Sequence, residues 1–236
     1  MIVLFLRLLI GSLVFRFLMW FSKGTPFVVE EKYTLRRWFV STMVCFYLMC
    51  HSLMLGYHEQ TFKQERLKII SEFFPLPQSL VDDILTKYLR CATDDFAVDA
   101  VHKHWRPMGI VPDAEYGFIL KFKGETLAGI WFDILSFKRC IYIKQIQTAR
   151  LPNSEESKVL RTIIRSFRWE RMLVRLAVEW ARFYAFREVR VVRAENQKYW
   201  HEGIESRCSQ FRMRYNVTAQ REGFEGGEEY SKLILA

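Results

Sequence analysis

His102 and His104, with Trp105 beside them, are the residues whose type and spacing come nearest to metal-ligand chemistry. A zinc site takes three or four such donors. No third ligand stands at usable spacing, so the pair reads as surface or packing histidines, and no metal is expected. Cys45, Cys50, Cys91, Cys140 and Cys208 are odd in number and form no CxxC pair. That pattern suits neither a disulfide framework nor a zinc ribbon; it suits small apolar core residues in a reducing setting. There is no Ser-His-Asp order, no HExxH helix and no P-loop, and the carboxylates are scattered. Asn216, Val217 and Thr218 form a glycosylation sequon inside a predicted helix, which reads as accidental.

The chain carries a net charge of +9, with 26% charged residues, and a pI near 9.4. Such a balance suits a phosphate-bearing partner, an anionic lipid surface or an acidic protein neighbour, and composition does not choose among them. Nucleic acid is not expected as a partner, since zinc-ligand spacing, an RNP-like strand and a long basic run are all missing.

Half of the 236 residues are hydrophobic, and that excess is concentrated near the start. Residues 1–22 are apolar except for Arg7 and Arg16, which would each need a polar partner or a route to the interface if the segment lay in a bilayer. The segment reads either as a membrane helix packed on something polar or as an interfacial amphipathic helix. Trp38 to Tyr57 carries no formal charge over twenty residues, long enough for a helix to cross ~30 Å of hydrocarbon. Basic residues stand on both sides of it, so orientation is not readable. Residues 1–58 are thus expected to be one or two membrane-anchoring helices, and 59–114 a helical connector with the first helices of the soluble domain. In the latter, Ser79, Asp82 and Asp83 favour a helix start.

From Tyr116 the pattern becomes that of an α/β domain. Tyr116–Phe122 and Leu127–Ile134 flank a turn containing Gly124, and Cys140–Gln147 alternates Ile141, Ile143 and Gln145 against Tyr142, Lys144 and Ile146. Pro152, Asn153 and Ser154 close this part, and Glu155 and Glu156 follow as first-turn residues of a short helix, with a break near Ser166 to Arg168. Trp169, Met172, Leu173, Leu176, Ala177, Trp180, Ala181 and Tyr184 then place one apolar stripe on a long helix. Val189 and Val191 mark a short strand, and Asn196 follows. A helix from about Glu205 to Glu222 stops at Gly223-Phe224, and Tyr230–Leu235 closes the chain.

This order resembles the C-terminal half of the GNAT superfamily of N-acetyltransferases, over residues 115–236. The resemblance implies an α/β (α+β) fold with a mixed central sheet flanked by helices, here preceded by the membrane helices. It also implies where chemistry would sit. Family enzymes hold the pyrophosphate of an acyl-CoA on backbone amides at the start of the central helix, after a string of Arg or Gln, x, x, Gly, x, Gly or Ala. The corresponding string is Arg165-Ser166-Phe167-Arg168-Trp169-Glu170, in which the first position fits and neither glycine is present. The family's tyrosine acid, four residues before the glycine of Gly-Phe, maps to Ala219; Tyr215 lies one turn earlier and can substitute only if the helix shifts.

The reading is therefore a membrane-anchored, non-catalytic accessory or assembly subunit of a membrane complex, such as a respiratory complex of the mitochondrial inner membrane. Its partners would be lipids and the other subunits, with Arg7 and Arg16 as polar contacts in the membrane and no cofactor. The alternative is an acyl-CoA-dependent N-acyltransferase taking acetyl-CoA or a longer acyl-CoA, with Arg165, Arg168 and Glu170 at the cofactor and Tyr215 as acid. Open amides at a splay between strands would favour the enzyme; side chains filling the splay would favour the subunit.

Overall fold

A computed structural model describes residues 74–89, 93–102, 110–135, 138–197, 200 and 204–234. Its centre is a seven-stranded mixed sheet in the order β1-β2-β3-β4-β5-β7-β6. The strands are β1 (Phe96–His102), β2 (Tyr116–Phe122), β3 (Glu125–Leu135), β4 (Cys140–Thr148), β5 (Glu188–Val191), β6 (Glu225–Gly226) and β7 (Tyr230–Leu233). The helices are α1 (Gln78–Tyr88), α2 (Glu155–Ser166), α3 (Trp169–Phe183), α4 (Glu205–Arg212) and α5 (Thr218–Arg221), with a π turn over Met213–Val217 joining the last two.

The expectation of one or two membrane helices ahead of this sheet is corrected. Among the described residues no helix is long and apolar enough to cross a membrane. Residues 1–22, with Arg7 and Arg16, and 38–57 lie outside the described residues.

β1 to β4 form an antiparallel meander, and β4 then pairs with β5 in parallel. β1 is an addition to the three strands expected at this point. It pairs along its whole length with β2, so the sheet begins well before Tyr116. The β2–β3 turn places Lys123 at φ 48° and Gly124 at φ 84°, the pair of positive angles that suits a two-residue hairpin. Gly117 is needed for packing: a Cβ there would lie 2.8 Å from the Trp131 ring and from the Ile130 carbonyl.

α3 is the principal helix of the core. Its buried face runs Trp169, Met172, Leu173, Val174, Leu176, Ala177, Val178, Trp180 and Ala181. Each large side chain among these contributes roughly 1.5–3 kcal/mol on leaving water. Trp180 packs on Phe118, Phe132 and Phe186 at centroid distances of 5.6, 5.7 and 5.7 Å, and its indole donates to the Pro75 carbonyl. That anchors the chain ahead of α1, whose Val81, Ile84 and Leu85 are buried in the same core. α1 starts on Pro77 without a side-chain cap, so Ser79 lies inside the helix; Asp82 instead accepts from Gln78 and Asp83 pairs with Lys87. α2 begins as its sequence requires, with Ser154 accepting the Ser157 amide.

Asn216, from the sequon, accepts from the Ala194 amide through its side-chain oxygen and donates from its side-chain nitrogen to Glu195. Beneath the opposite face of the sheet a smaller apolar group forms from Ile110, Ala114, Ile119, Trp131 and Ala149. Gln145 holds this layer in place, accepting from the Asp113 amide and donating to the Val111 carbonyl.

Candidate functional site

The pairing of β4 with β5 is short. It runs from Cys140–Glu188 to Ile143–Val191, with one more bond from the Val192 amide to the Ile143 carbonyl. There β4 bulges: Ile143 pairs with Phe132 and Gln145 with Trp131, so Lys144 is the extra residue. The bulge shifts the alternation by one. Ile141, Ile143 and Ile146 therefore all reach the main core, and Gln145 turns to the opposite face. β4 continues to Thr148 while the β5 chain leaves it through a short 3₁₀ turn at Ala194–Asn196. The two strands splay apart here.

Side chains fill this gap. The Gln197 amide donates to the Lys144 carbonyl at 2.6 Å. The Tyr215 hydroxyl accepts from the Ile146 amide at 2.9 Å and points its proton toward the Ile146 carbonyl at 3.4 Å. Tyr215 is 2% exposed. Its ring stacks on Phe211 with centroids 5.9 Å apart and planes 7° apart. Burial pushes its pKa up to about 12, so the proton stays on at neutral pH.

The π turn is what delivers Tyr215. An extra residue in that turn rotates the preceding helix relative to the following one, the shift that direct counting from Gly223 lacks. Ala219, where the count points, is fully buried. α5 then ends with Gly223 at φ 76° and a bond from the Phe224 amide to the Ala219 carbonyl, as a left-handed helix stop requires.

At the start of α3, Trp169 is 4% exposed and its ring lies under the Arg214 guanidinium, 5.8 Å away. Glu170 is held above the usual carboxylate range, chiefly by burial, while its own backbone amide and the nearby Arg214 act the other way. That amide is one of the first-turn donors an incoming anion would use. Two adjoining hollows open around these residues, of about 440 and 430 Å³, and both are lined by Glu170 and Arg214. The first also takes in Arg161 and Arg165, the second Arg168, Arg171 and Arg221.

Arg165, Arg168 and Glu170 are thus gathered at one cleft, while Tyr215 lies in the splay. Arg214 and Arg221 enter from a helix some fifty residues later in the chain, which is why local spacing misses them. His102 is on β1, edge-on to Tyr116 at 5.6 Å; His104 lies outside the described residues. Among the described residues no cluster of three metal-ligating side chains occurs.

Behind the cleft, Glu222 is 5% exposed. It accepts from Arg171 Nε at 2.8 Å and from the Tyr88 hydroxyl at 3.2 Å, with Arg175 3.8 Å away. Lys232 donates to its backbone carbonyl. Four elements, α1, α3, β7 and the end of α5, are tied together at this one residue.

No family model, curated protein or solved structure matches the chain.

Proposed function

We propose that the chain is a pseudoenzyme with a GNAT-like fold, serving as an accessory or assembly subunit of a larger protein complex. The likeness rests on the order of elements: an antiparallel meander, a bulged β4, a long helix, a parallel strand, an asparagine, and a helix stopping at Gly223-Phe224. The observation that carries the non-catalytic reading is the Tyr215 hydroxyl on Ile146. An acyl-CoA ligand needs open amides in the splay and at the start of the central helix. Here the Ile146 amide is bonded to Tyr215 and the Lys144 carbonyl to Gln197, and the Glu170 carboxylate lines the hollows at the start of α3.

A second reading, an acyl-CoA-dependent N-acyltransferase, draws on the arginines of the cleft and on Tyr215, whose retained proton suits a general acid. Incubation of the full chain with acetyl-CoA and a panel of amines and peptide N-termini, following release of free thiol, separates the two. The expected result is thiol release no faster than the background without protein. Sustained release that Tyr215→Phe removes would establish the enzyme instead.

A further inference from the structure

Several surface arginines are matched by carboxylates. Arg175 and Arg182 meet Glu179, Arg190 meets Glu188, and Arg193 and Arg212 meet Glu195. The cleft around the start of α3 is distinguished by density, since six arginines (161, 165, 168, 171, 214 and 221) line it with Glu170 as the one carboxylate. Arg171 is engaged by Glu222 and Arg161 by the Leu151 and Pro152 carbonyls. Arg214 lies against Trp169. Arg165, Arg168 and Arg221 are exposed and have no acidic partner among the described residues.

We propose that this cleft is a docking site for an acidic segment of a partner protein, a proposal that rests on the accessory-subunit reading. Charge complementarity is the first argument, because guanidinium groups spread across two adjoining hollows match carboxylates spaced along a polypeptide. The second is the lining between them. Leu151, Ile164 and Phe167 in one hollow and Val217 and the half-exposed Met213 in the other offer apolar contact among the charges, the mixture of Met, aromatic and Arg found at protein interfaces. A single-stranded nucleic acid would want an open aromatic platform, but Trp169 is buried and covered by Arg214. A free phosphate would meet the Glu170 carboxylate, which lines both hollows.

The test titrates the full chain with a fluorescein-labelled acidic decapeptide of Glu, Asp and Leu, followed by fluorescence anisotropy at several salt concentrations. Saturable binding that weakens with salt is expected. The triple variant Arg165→Glu, Arg168→Glu, Arg221→Glu should weaken it at least about tenfold, while Lys138→Glu, on the β3–β4 connection, should change it less than about twofold. All three cleft sites are exposed, and a thermal melt of each variant confirms folding. Absence of binding at low salt, or equal loss in Lys138→Glu, overturns the docking site. Tighter binding of inorganic pyrophosphate or of a polyuridine strand than of the peptide also overturns it. Acetyl-CoA turnover, measured on the same samples, tests the non-catalytic reading separately: turnover with peptide binding intact defeats that reading alone, and failure of peptide binding without turnover defeats the docking site alone.

Discussion

Tyr215 closes the gap between β4 and β5 with one hydroxyl that serves both the amide and the carbonyl of Ile146. Tyr215→Phe removes that oxygen from a buried site and leaves the Ile146 amide unpaired. The expected cost is about 1–3 kcal/mol, read as a lower urea midpoint with an unchanged slope. A shift near zero would mean that water or a neighbouring group replaces the hydroxyl. Glu170 tests the start of α3 differently. Because its folded pKa is raised above the unfolded value of 4.5, its favourable contribution is fully present below that value and is lost as pH rises through the folded pKa. Glu170→Gln should therefore raise the melting temperature at pH 7 and leave it nearly unchanged at about pH 4. A lower melting temperature at pH 7 would show that attraction to Arg214 outweighs burial.

At the scale of elements, Glu222 joins α1, α3 and β7 to the end of α5 through its carboxylate and its carbonyl. Glu222→Ala should cost about 2–3 kcal/mol, below the range for a fully buried pair because Arg171 and Arg175 retain partial access to water. Urea unfolding of this variant beside Arg171→Ala measures it, and a loss under about 0.5 kcal/mol, the range of ordinary surface changes, would remove Glu222 as a tie. Where elements follow a strict period the sequence is easily read: the stripe of α3, the break at Ser166 to Arg168, the Gly223 stop and the β2–β3 hairpin all lie where their residues place them. Three features do not follow such a period. β1 alternates through Ala97 and Ala100, whose small side chains give the pattern little contrast. The β4 bulge changes phase at Lys144, leaving a spacing of two and then three between Ile141, Ile143 and Ile146 that alternation alone misassigns. The π turn at Met213–Val217 has no local sequence signal, yet it decides that Tyr215 and not Ala219 faces the splay.

Across the described residues, arginines from distant parts of the chain meet in one place. The cleft at the start of α3 collects arginines from α2, α3 and the helical run after Glu205, and only those on α2 and α3 could be grouped from their spacing. The sheet opens at the splay and is closed again by Tyr215 and Gln197. A gap closed by side chains is the arrangement that sets the non-catalytic account apart from an acyltransferase. Calorimetric titration of the full chain with acetyl-CoA, and with a longer acyl-CoA, tests it most directly. The account predicts no saturable heat at ligand concentrations up to about 1 mM, the upper end of ordinary substrate affinities. Micromolar binding that Arg168→Glu abolishes would contradict it.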